Sequence, residues 1–175
     1  MQQIGECCAH LYTMESFLYH KLNSIMRLVA DEKHYSVWLH KIETFEPFAL
    51  LLNNHIDESK SDKSKIVYRD AYLTDEMIQN YYTAIRRPKD LNEDDDMTPS
   101  FPAFTSCSRN RAKAEEYENV LFIIELIFNR SVDVSQFSDY PDEEEEIIKP
   151  GVLFVIENIE YDSECGKHLI DLSII

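Results

Sequence analysis

The chain has 175 residues, 17 basic against 33 acidic, with a net charge of −16 and a hydrophobic content of 44%. That length suits one domain, expected to span 1–175, whose core needs neither disulfides nor metal. So acidic a surface repels phosphate backbones and anionic lipid, which counts against nucleic-acid and membrane-surface roles.

No apolar run reaches the length of a membrane span, and the N-terminus shows no signal-peptide pattern. The four cysteines form no disulfide framework, which favours a reducing compartment and makes a cytoplasmic location the expectation. Secretion stays open for a piece of a longer protein, and Asn129-Arg130-Ser131 is a glycosylation sequon that would matter only there.

Residues 1–9 carry little pattern and are expected to be loose. Thr13 is placed to cap a helix, with Glu15 in its first turn. Leu18, Leu22, Ile25, Met26 and Val29 then recur at helical spacing and predict an amphipathic helix over 14–30. A second helical region covers 33–55, with Tyr35, Trp38, Leu39, Ile42 and Phe45 as its core stripe. Pro47 should start a new helix or kink this one, and Phe48, Leu51, Leu52 and Ile56 continue the apolar face. Together these make a helical lead-in over 1–58.

A polar connector follows at 59–64, and the period changes. Ile66-Val67-Tyr68 reads as a short strand ending at Arg69. Thr74 caps a helix whose apolar face holds Met77, Ile78, Tyr81 and Ile85. Residues 86–99 are an acidic, proline-broken loop, the stretch most expected to move. In the sheet core, 65–175, residues 100–104 lead into Thr105-Ser106-Cys107-Ser108, and 109–117 look like a short helix. Residues 120–128 are nearly all apolar, as in a strand covered on both faces. Three further strands, 144–149, 152–159 and 167–175, are joined by short connections. Helices first and strands after argue for an α+β fold instead of an alternating parallel sheet.

Several chemistries are disfavoured. Three glycines cannot build a Rossmann or P-loop phosphate cradle. The six histidines form no HExxH-like pair, and Asp94-Asp95-Asp96 lacks the ligand alternation of a calcium loop, so no metal site is expected. Cys107 has no base near it in sequence to make it a nucleophile.

Four consecutive glutamates, 143–146, run into Ile147-Ile148. For a strand beginning near Glu144, a period of two puts Glu144 and Glu146 on one face and Glu145 on the other. A solvated acidic loop is the plainer reading of such a run.

Three polar elements therefore sit at strand ends: Tyr68-Arg69, Phe104-Thr105-Ser106-Cys107-Ser108, and Glu144-x-Glu146 before an apolar strand. In this order they resemble the R-S-ExE group of the mono-ADP-ribosyltransferases, which includes arginine-specific ecto-enzymes of animals and actin-modifying clostridial toxins. The resemblance covers about residues 66–160. It departs from the family at Asp70, where a glycine commonly follows the arginine, and at Cys107, where the middle residue is commonly threonine. Asp70 would put a negative charge near a pyrophosphate site.

The resemblance implies the ADP-ribosyltransferase fold, with N-terminal helices packed on two mostly antiparallel sheets that form an NAD-binding cleft. It also implies an NAD-dependent enzyme that moves ADP-ribose to arginine side chains of a protein, releasing nicotinamide. NAD would be the co-substrate, with no metal. Arg69 would pair with the pyrophosphate, and Ser106, with Ser108 as a weaker candidate, would position Arg69 and Glu146. Tyr68 and Glu146 would also touch NAD. Glu146 would stabilise an oxocarbenium-like transition state, as a fixed carboxylate does in glycoside cleavage. Glu144 would hold the acceptor guanidinium and help remove its proton, and Tyr140 could stack on that arginine. The expected partners are NAD and a protein with an exposed arginine; no nucleic acid or membrane span is expected. An NAD glycohydrolase, or a catalytically silent binding module marked by Asp70 and Cys107, are the alternatives.

Overall fold

The computed structural model describes residues 2–14, 16–30, 32–58, 64–85, 98–116, 118–126 and 130–175. Residues 59–63 of the expected connector, most of the acidic loop (86–97), Asn129 of the sequon and Glu15 lie outside the described residues. The chain begins with helices α1 (Gln2–Thr13), α2 (Phe17–Met26) and α3 (Tyr35–Glu58). Strand β1 (Lys65–Ala71) follows, then α4 (Asp75–Ile85), β2 (Thr105–Ser108), the single turn α5 (Arg111–Ala114) and β3 (Val120–Leu126). The last strands are β4 (Ser131–Asp133), β5 (Glu145–Ile148), β6 (Phe154–Asp162) and β7 (Lys167–Ile174). Helices segregated from a mainly antiparallel sheet make this the expected α+β class.

The strands lie in the order β4-β5-β2-β1-β3-β7-β6, all antiparallel except β3 beside β7. Hydrogen bonding thus makes one sheet where two are expected. Its two parts meet at the single pair Tyr68–Ser108, whereas β1 and β3 pair along seven residues. The sheet is therefore narrowly joined between β2 and β1. That leaves room for the side chains of Arg69 and Ser106 to face a shared space.

Two cores hold these parts. One joins α4 to β1, β3, β6 and β7 through Ile78, Val67, Ile124, Ile156 and Ile170, and takes Cys107 and Ile148 from the other part. The second packs α1, α2 and α3 on Phe104, Val132, Val134 and Ile147. Ile147 and Ile148 are adjacent yet enter different cores, as strand alternation requires.

The N-terminus departs from expectation. Residues 2–13 are helical, and Thr13 ends a helix instead of capping one. The signal is a narrow buried stripe: Gly5, Cys8, Ala9 and Tyr12 share one face, three small residues and one large aromatic. A Cβ on Gly5 would come within 2.8 Å of the His55 side chain, so glycine lets α1 lie close on α3. Pro47 lies inside α3 and starts no new helix. The stripe expected to be core in its first half is only partly covered: Tyr35 and Leu39 are exposed, Trp38, Ile42 and Phe45 are half-buried, with Phe45 against the helical core, and full burial begins at Leu52 and Ile56. Thr74 caps α4 as read: its Oγ1 accepts the Met77 N–H at 3.3 Å.

Candidate active site

Where β1 leaves β2, a pocket of about 260 Å³ opens, lined by Tyr68, Arg69, Asp70, Ser106, Cys107, Ser108, Lys113, Ala114, Glu143 and Glu145. Strand β1 supplies the first three, β2 the next three and the α5 turn the lysine. Arg69 and Ser106, 37 residues apart, meet here: Arg69 Nη1 donates to the Ser106 carbonyl at 2.5 Å. The Ser106 hydroxyl donates to Glu145 Oε1 at 2.6 Å. A hydroxyl given to an ionised oxygen makes a short, strong bond and fixes the carboxylate's direction.

The glutamates are distributed differently from the sequence reading. Glu144 does not enter the strand. It sits in the left-handed region (φ 48, ψ 48), uncommon for a residue with a Cβ, and ends a 3-10 turn over Pro141–Glu143. Alternation therefore starts at Glu145, one residue later than assumed. Glu145 lies opposite Ser108, on the pocket side, and Glu146 lies opposite Cys107, on the other. Glu144 is 51% exposed, with Oε2 at 3.7 Å from Arg109 Nε. Glu144 and Glu146 are thus not neighbours on one face, and Ser106 reaches Glu145 instead of Glu146.

Glu146 has no exposed side-chain surface. Its Oε1 takes the ammonium of Lys65 and the hydroxyl of Ser131, the latter at 2.7 Å. Its Oε2 has no hydrogen-bond donor and lies 3.6 Å from Arg109 Nη1. Arg109 also bonds Asp133, which faces Glu146 across the β4–β5 pair. A buried carboxylate demands this company, because an unpaired buried charge costs several kcal/mol.

The remaining predicted residues fall as follows. Ser108 Oγ accepts the Asn110 N–H at 2.9 Å and donates to the Glu143 carbonyl at 2.5 Å, tying the pocket floor to the glutamate turn. Tyr68 lines the pocket beside Ser108. Tyr140 is 63% exposed at the start of the 3-10 turn and does not line the pocket. Asp70 is not a bare charge at the pocket: Lys167 Nζ lies 2.9 Å from one oxygen, and the other accepts the Glu118 N–H at 2.7 Å. Cys107 is buried, and burial pushes its thiol up to about 12 despite the opposing pull of Arg69. It is a packing residue with no thiolate to offer.

The sequence reading did not single out Lys113, Glu143 and Glu145, which also line the pocket. Lys113 carries no signal beyond following Ser-Cys-Ser on a turn of helix. The glutamates are visible as a run, but only the backbone at Glu144 decides between the two alternating pairs. Behind the pocket, the helical layer grips β2 through Tyr12, whose hydroxyl donates to the Phe104 carbonyl at 3.1 Å and accepts from Asn23 at 2.7 Å. Among the described residues no group of three His, Cys, Asp or Glu is arranged to hold a metal, and no helix is long and apolar enough to cross a membrane.

A sequence model of the family described as NAD:arginine ADP-ribosyltransferase matches residues 5–174. Among solved structures, the ADP-ribosyltransferase HopU1 of Pseudomonas syringae pv. tomato is 29% identical, with a TM-score of 0.67 over 90% of this chain. The match covers 65% of the HopU1 chain. An ADP-ribosyltransferase from Clostridium botulinum matches at 11% identity and a TM-score of 0.70, over 97% of this chain and 85% of that one. A eucaryotic mono-ADP-ribosyltransferase matches at 18% and 0.59, over 95% of this chain and 64% of that one. No curated protein sequence gives a significant match.

Proposed function

Because the chain belongs to the NAD:arginine ADP-ribosyltransferase family, we propose that it transfers ADP-ribose from NAD to arginine side chains of a protein, releasing nicotinamide. The observation that carries this reading is the Ser106–Glu145 hydrogen bond inside a pocket that Arg69 also lines. NAD is the co-substrate, and the donor set suits it: Arg69 and Lys113 bring positive charge for a pyrophosphate, and Ser106 and Ser108 bring hydroxyls.

The carboxylate pair is moved by one residue from the pair that alternation alone suggests. Glu145 takes the role expected of Glu146. As the bond to nicotinamide lengthens, positive charge grows on the ribose, and a carboxylate already aimed by Ser106 stabilises it without reorganising. Glu143, on the same pocket wall, takes the role expected of Glu144 and receives the acceptor guanidinium and its proton. Tyr140, exposed three residues earlier, would stack on that arginine. Arg69 keeps N–H groups beyond the one given to Ser106 and pairs with phosphate oxygens.

The test follows nicotinamide release and agmatine labelling in parallel. Glu145→Gln should lower both by about two orders of magnitude. Glu143→Gln should abolish labelling and leave measurable release. If Glu146→Gln loses both activities and Glu145→Gln keeps them, the pair Glu144 and Glu146 is restored. Release without labelling in the unaltered protein makes water the acceptor.

A further inference from the structure

The run Glu143-Glu144-Glu145-Glu146-Ile147-Ile148 is nearly symmetric under a shift of one residue. If β5 moved so that Glu146 took the place of Glu145, the pocket side would again show Glu, and the helical core would again receive Ile, now Ile148 for Ile147. A one-residue slip sends every side chain to the other face, yet this side of the strand would hardly register it. The preceding 134–144 segment contains a left-handed residue and a short turn, the kind of backbone that takes up one extra residue.

The other side does register it. There, Glu146 meets Lys65 and Ser131, with Arg109 3.6 Å away. After a slip, Ile147 would stand in that place, and both Lys65 and Ser131 would lose the carboxylate they now share. Lys149, now bonded to Asp57 at 2.6 Å, would follow into the buried position of Ile148. The opposite slip would put Glu146 into the helical core in place of Ile147, where Phe104 and Val132 offer no partner.

We propose that Lys65, together with Ser131, is a positioning pair that sets the register of β5, and so selects which of four consecutive glutamates stands beside Ser106. Lys65 lies on the strand that carries Arg69, and Ser131 on the edge strand β4. The pair therefore ties the phosphate-binding side of the pocket to the glutamate side through one buried carboxylate. That consequence for catalysis rests on the function proposed above; the register itself does not.

The experiment compares Lys65→Met, which keeps the aliphatic stem, with the double variant Lys65→Met/Glu146→Leu. Backbone NMR of the intact chain reads the register directly through cross-strand contacts. The unaltered protein should show Ser106 opposite Ile147, and Lys65→Met should add a second set with Ser106 opposite Ile148. The double variant removes the stranded charge and should return to one set, because slipping would now bring an apolar side chain to Ser106 in place of a carboxylate. Nicotinamide release reads the consequence. Glu145→Gln should cost about 100-fold in the unaltered background but only about tenfold with Lys65→Met, where part of the population presents Glu146. A single unshifted register in Lys65→Met overturns the proposal, whatever the activity. An unaltered protein that releases no nicotinamide overturns the proposed function and leaves the NMR result standing.

Discussion

The two parts of the sheet are built on different terms. In β1, β3, β7 and β6 the strands run 7, 7, 8 and 9 residues and share one apolar core. In β2, β4 and β5 they run only 4, 3 and 4, and every buried Ser, Thr and Glu of the described strands lies there: Thr105, Ser131, Glu145 and Glu146. Long paired strands need little help from side chains. Short ones carrying charge need it from every direction, and here they draw it from Tyr12, Lys65 and Arg109. The long part is a scaffold, and the short part, of low intrinsic stability, is where fixed carboxylates can be placed without weakening the core.

The largest expected effect tests the scaffold half of that contrast. Ile170 is fully buried on β7, between β3 and β6. Ile170→Ala should cost about 2–5 kcal/mol by lost transfer energy and the cavity left behind. Denaturant unfolding measures this, and the nicotinamide release of the molecules still folded should hardly change. A matching loss of turnover per folded molecule would mean the two parts are not separable.

A smaller effect should appear on the other side, with the opposite signature. Tyr12→Phe deletes one hydroxyl and leaves the Asn23 amide and the Phe104 carbonyl unsatisfied in a buried place, at about 1–3 kcal/mol. Phe104 precedes Ser106 by two residues, so this change should also slow nicotinamide release per folded molecule. Turnover equal to that of the unaltered protein would show that β2 holds its place without the helical layer.

The same contrast explains what could be read from the chain. β3, β6 and β7 were legible because each holds several β-branched and apolar residues, and β1 was legible from Ile66-Val67-Tyr68 alone, short of its full length. Arg69, Ser106 and Ser108 were legible as polar residues at strand ends, and the structure gathers them. The glutamates were legible as a group but not singly. Period-two reasoning needs a starting residue, and Glu144 in the left-handed region moves that start by one. Nothing local in four identical residues reveals this; the deciding partners, Lys65 and Ser131, lie 81 and 15 residues away. Strand β4 went unread because three residues make no pattern. Helix α1 went unread because its buried face is narrow, with only Tyr12 large, and the first half of α3 was over-read because its apolar stripe is only partly buried, with Tyr35 and Leu39 exposed.

The smallest effect concerns the outer rim of the glutamate cluster, where burial is only partial. Burial by itself would raise the Asp133 carboxyl, but the Arg109 bond and the Ser135 hydroxyl and N–H outweigh it and hold it below its ordinary 3.8. A folded-state value below the unfolded one means that Asp133 contributes stability above the unfolded value. That contribution is lost as pH falls through the folded one. Asp133 is 44% exposed, so solvent screening keeps the contribution below about 1 kcal/mol. Thermal melts taken at about pH 7 and about pH 3 should therefore show a slightly larger drop for the unaltered protein than for Asp133→Asn, which cannot titrate. An equal drop in the two would mean that Arg109 is engaged by Glu146 and Glu144 alone, and that the rim of the cluster adds nothing to the short strands it borders.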